Sequence, residues 1–223
     1  MSSYGQLCPV AKAAELLDQR WMLLVVRELV AGSTRFNEIH RGVPQMSRTL
    51  LSRRLSQLRQ HDVVSRQETP DGPVYQLTDA GEELRPVVEA LGTWGVRWLR
   101  SLAEEDRDPA FLVWDMSRNV NTDALPDHKT VLALTFPDAT VSLRHWWLIL
   151  SRAEVDICDE DPGLDTDVHL TAPLRVFVPV WRGDLPWHEA VVGGELELQG
   201  AGPLVRAVPR WFRLGHFAAI PRP

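Results

Sequence analysis

The chain contains only two cysteines, Cys8 and Cys158, among its 223 residues. Two thiols are too few for a disulfide framework, and they lack the spacing of a metal-ligand set. No apolar run approaches the ~18 residues that a membrane-spanning helix needs. The first residues show no basic region followed by an apolar stretch, so no secretory signal is visible. These absences predict a soluble cytoplasmic protein with no membrane span and no structural metal.

Catalytic motifs are missing as well. The sequence has no nucleophile elbow and no phosphate-binding loop, and none of its seven histidines is followed four residues later by histidine or cysteine. Neighbouring acids such as Asp159 and Glu160 are most simply a solvated turn. We therefore predict a protein that is not an enzyme, with no catalytic residues and no cofactor.

Positive charge, in contrast, is concentrated in one segment. The whole protein has a net charge of −6, yet residues 34–66 carry seven arginines and no lysine against Glu38 and Asp62. Arginine is suited to bidentate contact with phosphates and with guanine edges. This segment therefore favours binding to double-stranded DNA.

The same segment has the outline of a winged helix–turn–helix. Apolar spacing and capping residues predict four helices, with a glycine ending the second and a serine opening the fourth. They are expected from Pro9, around Trp21–Leu29 with a stop at Gly32, over Arg35–Arg41, and over about Arg48–His61 with Ser47 as the cap. Two strands joined by a Pro-Asp-Gly turn would form the wing, over Val63–Gln67 and Val74–Leu77.

The fourth helix separates its leucines from its polar residues. At about 100° per residue the leucines cluster on one side, whereas Thr49, Ser52, Arg53 and Ser56 point the opposite way. Small hydroxyls beside arginine let a helix approach the major groove closely. An ordinary solvated amphipathic helix is the alternative, but such a surface would more often mix glutamate with its arginines.

A long helix is predicted to follow the wing, from Asp79 to residue 102, with Glu82 as a capping partner and a bend at Pro86. Its apolar coverage is wider than one helix of a small domain needs. A two-fold partner would bury the excess, since most soluble oligomers are symmetric dimers. Burial against the second half of the chain is the alternative. We predict a homodimer through residues 79–102.

Residues 8–102 resemble the HxlR-type winged helix–turn–helix transcriptional regulators. The resemblance lies in the order of Cys8-Pro9, Trp21, Arg35-Phe36, Ser47, the Leu51, Leu55 and Leu58 frame, Arg66, Tyr75-x-Leu77-Thr78-x-x-Gly81 and Trp94-Gly95. It implies a dimeric bacterial regulator that binds double-stranded DNA. The predicted DNA contacts are Arg35, Ser47, Arg48, Thr49, Ser52, Arg53, Arg54 and, in the wing, Arg66.

The chain departs from the family pattern at two turns. His61-Asp62 stands where the family usually has a glycine, and Gln19-Arg20 stands where it often has Gly-Lys. Asp62 tolerates a left-handed backbone, so the first turn can survive. Some relatives use a cysteine at the position of Cys8 as a thiol sensor, which makes redox sensing an alternative. We favour a structural cysteine that packs like a small apolar residue.

The pattern changes after a charged hinge at residues 104–109, which divides the chain into predicted domains of residues 1–103 and 109–223. Short strands alternate with turn residues in the second domain, and helices follow near its end. Strands are predicted over 131–136, 141–144, 146–150, 155–157, 168–170 and 196–198, and helices over 174–181, 186–192 and 203–214. This indicates an α+β domain with an antiparallel sheet and helices on one face.

Six of the nine tryptophans lie in this second half. Aromatic residues mainly fill cores, but so many could also line an apolar pocket. The acidic Asp-Pro-Gly turn, Asp167-x-x-Leu170-Thr171, Trp181-x-Gly183-Asp184, and Gly194 with Gly200 resemble the C-terminal part of sterol-carrier-protein-like lipid-binding domains. That resemblance implies a cavity for a small hydrophobic effector. Its predicted lining is Trp114, Trp147, Phe177, Trp181, Trp187 and Trp211.

The leading hypothesis is therefore a dimeric DNA-binding regulator whose second domain senses an apolar ligand. One alternative is a lipid or small-molecule carrier whose helix–turn–helix makes protein contacts only. Another is a thiol-based redox sensor that acts through Cys8.

Overall fold

The computed structural model of the chain describes residues 3–99 and 102–222. They form two compact units, which divide between Gly95 and Val96. The helices are α1 (Pro9–Leu17), α2 (Met22–Val30), α3 (Phe36–Gly42), α4 (Arg48–Gln60), α5 (Asp79–Glu82), α6 (Arg85–Trp98), α7 (Pro109–Arg118), α8 (Leu174–Trp181), α9 (Trp187–Val192) and α10 (Gly202–Ala207). The strands are β1 (Val64–Gln67), β2 (Val74–Leu77), β3 (Thr130–Thr135), β4 (His145–Leu150), β5 (Val155–Cys158), β6 (Val168–Thr171) and β7 (Glu197–Gly200). No helix among the described residues is long and apolar enough to cross a membrane.

The first unit is a winged helix–turn–helix built around α2, α3 and α4, as predicted. Apolar side chains from these three helices and from the start of β1 form one buried cluster, with Val25, Ile39 and Leu55 among its members. The strands β1 and β2 pair antiparallel as the wing, with Arg66 opposite Tyr75. Gly72 has a φ of +100° in the wing turn, a value that favours glycine.

Local capping residues set the limits of α2 and α4. Gly32, with a φ of +94°, follows α2, and the Ser33 N–H donates to the Glu28 carbonyl at 3.0 Å. At the start of α4 the Ser47 hydroxyl accepts from the Leu50 N–H at 3.3 Å. After α4 the chain turns through Asp62 with a φ of +55°. The predicted ends of α2 and α4 and the left-handed backbone at Asp62 are therefore confirmed.

The prediction of one long helix from Asp79 is wrong, because this segment forms two helices, α5 and α6. Pro86 lies in the first turn of α6 and has no N–H to donate to the Glu82 carbonyl, so one continuous helix cannot form there. The cap also differs from the prediction, since the Thr78 hydroxyl accepts from the Gly81 N–H at 3.2 Å. Residues 100 and 101, at the end of the predicted helix, lie outside the described residues.

The second unit contains a five-stranded sheet in the order β5-β4-β3-β6-β7. The pairs β3–β4, β4–β5 and β6–β7 are antiparallel, but β3 and β6 run parallel. The prediction of an antiparallel sheet is therefore wrong for this pair, because β3 and β6 are joined by a long connection that contains β4 and β5. Local sequence patterns carry no signal for such a distant pairing.

The core of this unit lies against one face of the sheet. Leu132 and Leu148 on that face are fully buried and cluster with Met116 of α7, Phe177 of α8 and Trp211. Alternation along the strands places Trp147 and Ile149 on the other face, where both are half-buried. Helices on one face of a sheet were predicted, and this part of the α+β layout is confirmed.

Two local predictions in the second unit differ from the structure, and one helix was not predicted. Val141–Leu143 is a single 3₁₀ turn and not a strand. The helix predicted over 203–214 ends at Ala207 and is followed by a 3₁₀ turn over Val208–Arg210, because Pro209 cannot donate to a helical carbonyl. The helix α7 was not predicted, although Asp108 caps it from one residue before Pro109, an N-terminal signal that was visible in the sequence.

Candidate nucleic-acid interface

The polar face of α4 is open to solvent. On one side of this helix, the side chains of Leu51, Leu55 and Leu58 are buried and at most 1% exposed. Most of the predicted DNA contacts on α4 lie on the opposite side and are exposed, namely Ser47, Arg48, Thr49, Ser52 and Arg53. Arg48, Arg53 and Arg59 are exposed on α4 and no acid lies on this helix, so its exposed surface is uniformly cationic. The leucine packing thus holds a rigid helix with its hydroxyls and guanidinium groups outward.

The first turn of α4 is joined to the start of α3. The Arg48 guanidinium donates to the Asn37 side-chain carbonyl and lies 5.4 Å from the centre of the Phe36 ring. Both contacts orient Arg48 beside the N-terminus of α4, where free N–H groups and the helix dipole favour a phosphate. Asn37 was not among the predicted site residues. Its exposed position on the neighbouring helix was the signal that could have identified it.

Arg35 contacts the wing. It precedes α3 and its Nη1 donates to the Thr69 hydroxyl at 3.2 Å and to the carbonyls of Asp71 and Gly72 at 3.3 and 2.7 Å. The Tyr75 N–H also donates to the Thr34 carbonyl at 2.8 Å. The segment before α3 therefore fixes the wing turn through a half-buried arginine.

Arg66 lies on the exposed side of β1, in the wing. Its Nη2 lies 2.6 Å from the Glu68 carboxylate, and both side chains are largely open to solvent. Exposed pairs of this kind contribute little, about 0–1 kcal/mol. Arg66 can therefore exchange this partner for a phosphate at small cost.

Arg54 lies apart from the exposed face. Its Nη1 donates to the side-chain carbonyls of Gln19 and Gln57 at 2.6 and 2.7 Å, and its Nε donates to the Arg20 carbonyl at 3.1 Å. Burial, and to a lesser extent the neighbouring Arg53, lowers the pKa of the Arg54 guanidinium. The structure thus separates Arg54 from the other predicted contacts on α4. Gln19, its partner in the turn after α1, was not a predicted site residue.

A buried carboxylate fixes the spacing of α2 and α3. Glu28 is fully buried, and its side chain accepts from Arg27 Nη2 at 2.9 Å and from the Ser33 hydroxyl at 3.3 Å. The same Arg27 Nη2 donates to the Gly42 carbonyl at 2.7 Å. A Cβ atom on Gly42 would lie 1.9 Å from the Glu28 carboxyl carbon, so glycine permits this close approach.

Known proteins share this helix–turn–helix in sequence. The profile of the HxlR-like helix–turn–helix family matches residues 16–103. YvaP of Bacillus subtilis, an uncharacterized HTH-type transcriptional regulator, is 38% identical over 112 residues, which make up 48% of this chain and 96% of YvaP. The chain belongs to the HxlR-like helix–turn–helix family. The predicted HxlR-type transcriptional regulator domain is thereby confirmed over residues 16–103.

Two further comparisons concern a second regulator from Bacillus subtilis. The HTH-type transcriptional regulator YodB of Bacillus subtilis is 37% identical over 92 residues, or 40% of this chain and 82% of YodB. The structure of the reduced form of YodB is 32% identical and covers 43% of this chain and 97% of that one, with a TM-score of 0.37. These matches leave the second half of the chain uncovered.

The HxlR-like unit has apolar side chains exposed on its first and last helices. Neither α1 nor α6 has a buried residue. An open groove of about 320 Å³ adjoins α1, with apolar walls from Leu16, Leu17, Val63 and Leu84. The groove and the two helices leave much apolar surface without a covering element in the described part of the chain.

Cys8 is exposed and immediately precedes α1 of the HxlR-like unit. It therefore does not pack as a small apolar residue, and the favoured interpretation of a structural cysteine is wrong. Exposure alone does not make the thiol a sensor. Cys158, on β5 of the second unit, is half-buried, and burial followed by Asp156 and Asp159 raises the pKa of its thiol.

The six residues predicted to bind a ligand do not share one site. Phe177, Trp181 and Trp211 are buried in the core of the second unit, and Trp187 packs edge-on against Phe177 with ring centres 5.7 Å apart. Trp147 lies on the opposite face of the sheet. Trp114 is half-buried on α7, with the Arg118 guanidinium 5.3 Å from its ring.

Three tryptophans in the second unit differ in whether the indole N–H has a hydrogen-bond acceptor. The Trp181 Nε1–H donates to the Asp115 carboxylate at 2.8 Å, which joins α8 to α7. The Nε1 atoms of Trp187 and Trp211 are buried, and the described residues provide no acceptor for either. Buried donors without a partner are rare in proteins, and each costs about 1–3 kcal/mol.

Proposed function

We propose that this protein is a transcriptional regulator that binds double-stranded DNA as a homodimer, with α4 in the major groove and the wing against the backbone. The observation that carries the proposal is the exposed, acid-free face of α4. Thr49 and Ser52 offer donors to base edges, Ser47 with Arg48 offers donors to a phosphate at the helix start, and Arg53 offers donors to an adjacent phosphate. Arg66 in the wing supplies a further phosphate contact.

Dimerisation is supported by the exposed stripe on α6. Val87, Leu91, Trp94 and Trp98 are 42–63% exposed and follow one another at intervals of four, three and four residues. That spacing is the seam of two helices packed side by side. Two copies related by a two-fold axis would cover this stripe and present two α4 helices to successive turns of the major groove.

The DNA-binding proposal is tested by selection and titration. Duplexes of about 30 base pairs, long enough for two half-sites, are enriched from a random library by the full chain. The bound duplex is then titrated by fluorescence anisotropy at several salt concentrations. We expect affinity to fall by orders of magnitude between about 50 and 200 mM salt, because several phosphates are neutralised. A chain that enriches no sequence and binds no duplex at low salt would overturn the proposal.

The dimer is tested separately. Leu91→Glu places a charge in the centre of the exposed stripe, and we expect a monomer in sedimentation experiments at concentrations where the unchanged chain is a dimer. Glu89→Gln on the same helix is the control, since it changes charge without touching the stripe. An unchanged mass for the Leu91 variant would reject α6 as the interface.

We propose further that the second unit is a non-catalytic, sterol-carrier-like module that binds a small apolar effector. The buried indole N–H groups of Trp187 and Trp211 support this proposal, because an apolar molecule with one acceptor oxygen would satisfy a donor that the described residues leave unpaired. Native mass spectrometry of freshly purified protein would detect a co-purified ligand. A ligand-free spectrum, together with unchanged tryptophan fluorescence on titration with a fatty acid and a sterol, would reject the effector.

A further inference from the structure

The Arg54 side chain connects α4 to the turn between α1 and α2. Two of its acceptors, the Gln19 side chain and the Arg20 carbonyl, belong to that turn and lie more than thirty positions earlier in the sequence. The third acceptor, Gln57, lies one helical turn along α4 itself. The guanidinium therefore holds α4 at a fixed distance from a separate segment of the same unit.

The turn that Arg54 contacts is itself tightly shaped. Trp21, which follows Arg20, has a φ of +76°, in the left-handed region that a tryptophan rarely adopts. The Gln19 amide also donates to the Glu15 carbonyl at 3.4 Å, which joins the turn to the end of α1. A backbone held in this conformation requires support from its neighbours, and Arg54 provides it from α4.

The position of Arg54 distinguishes it from Arg53. Arg53 is exposed, whereas Arg54 is half-buried and uses two of its three nitrogens on acceptors within the unit. To contact a phosphate, Arg54 would have to give up these hydrogen bonds. Since hydrogen bonds from charged groups are stronger than neutral ones, the internal partners compete well with DNA.

We propose that Arg54 is a positioning residue, which sets the orientation of α4 by bridging to Gln19 and Arg20, and that it does not neutralise a DNA phosphate. The inference rests on the proposed function, since it concerns how the DNA-binding helix is held. It separates the predicted DNA contacts on α4 into an exposed group that meets DNA and one residue that holds the helix.

The salt dependence of binding distinguishes the two roles. Each phosphate contact contributes about 0.9 to the slope of log affinity against log salt, so its loss in both protomers of a dimer lowers the slope by about 1.8. We expect Arg53→Ala to show this reduction. Arg54→Ala should weaken binding by about tenfold at every salt concentration and leave the slope as in the unchanged chain. The probe is the duplex that the unchanged chain selects from the random library.

Gln19→Ala provides an independent test that leaves every arginine in place. It removes the acceptor of the 2.6 Å bond from Arg54, so we expect it to weaken binding in the same way as Arg54→Ala. The double variant should be no weaker than Arg54→Ala alone. Arg54→Lys, which keeps the charge but cannot form the same bridge, should resemble Arg54→Ala. Thermal unfolding of each variant confirms that the first unit remains folded.

Two results would overturn the inference. One is a slope for Arg54→Ala that falls as far as that of Arg53→Ala, and the other is a Gln19→Ala variant that binds normally while Arg54→Ala does not. Both are distinct from failure of the proposed function, in which the unchanged chain itself would show no salt-dependent binding to any selected duplex.

Discussion

Gly42 offers a direct test of how the helix–turn–helix is held together. Replacing it by alanine would place a Cβ 1.9 Å from the carboxyl carbon of Glu28 and 2.0 and 2.4 Å from its two oxygens. Glu28 is fully buried and accepts hydrogen bonds from Arg27 and Ser33. The carboxylate must therefore move away from partners that compensate its burial.

The expected change in the free energy of unfolding is the sum of three contributions. Overpacking a core costs about 1–3 kcal/mol. Weakened hydrogen bonds to a buried charge cost about 1.5–3 kcal/mol. The higher helix propensity of alanine stabilises the variant by at most about 1 kcal/mol, and by less here because Gly42 is the last residue of α3. We expect Gly42→Ala to lower the unfolding free energy of the first unit by about 1.5–6 kcal/mol, a large part of the 5–15 kcal/mol typical of a domain.

Hydrogen–deuterium exchange at increasing urea measures this free energy in the full chain, because peptides from α2 and α4 report on the first unit alone. Gly95→Ala is the matched control, since its Cβ would meet no described atom within 4 Å and alanine favours the helix. Glu28→Ala creates space for the new methyl group, so the double variant should be no less stable than Glu28→Ala alone. Additive effects, or a Gly42 variant as stable as the unchanged chain, would refute the reasoning.

Four further predictions concern the wing, a turn and the two thiols. Arg35→Ala should release the wing turn, seen as faster hydrogen exchange across residues 69–76, while exchange in α4 stays unchanged; equal protection in the wing would count against the contacts of Arg35 Nη1. Asp62→Gly should raise stability by about 0.5–1 kcal/mol, because the φ of +55° is strained for any residue with a Cβ, and a loss in urea unfolding would contradict this. Iodoacetamide at pH 8 should alkylate exposed Cys8 faster than Cys158, whose raised pKa leaves less thiolate at that pH; equal rates in peptide mass spectra would disagree with the structure. If oxidant response passes through Cys8, Cys8→Ser should abolish it, and a variant that still responds would eliminate thiol sensing at this position.

Local signals predicted the first unit well. Ser47 and Gly32 mark helix ends through their own hydrogen bonding and backbone freedom, and Asp62 occupies the left-handed turn expected of it. The break before α6 was also within reach, since Pro86 can neither donate nor continue a helix. These features depend on neighbours within about four residues, which a sequence pattern contains.

Contacts between distant segments could not be predicted. Arg54 and Arg53 are adjacent and chemically identical, and only the fold shows that one meets Gln19 and the other meets solvent. The same holds for the parallel pairing of β3 with β6. Trp147, in contrast, lies on the opposite face from Trp146 by the alternation of side chains along a strand, which the sequence contained. Residue type predicts that an arginine binds an acceptor, but not which acceptor lies within reach.

The sheet of the second unit ends on each side in a strand of four residues, β5 and β7. Both strands carry an exposed carboxylate, Asp156 on one and Glu197 on the other. Short edge strands that carry like charges repel the edge strands of other copies, which discourages aggregation through strand pairing. At high expression levels this repulsion suppresses β-pairing between different copies of the chain, so that copies associate through side-chain contacts instead.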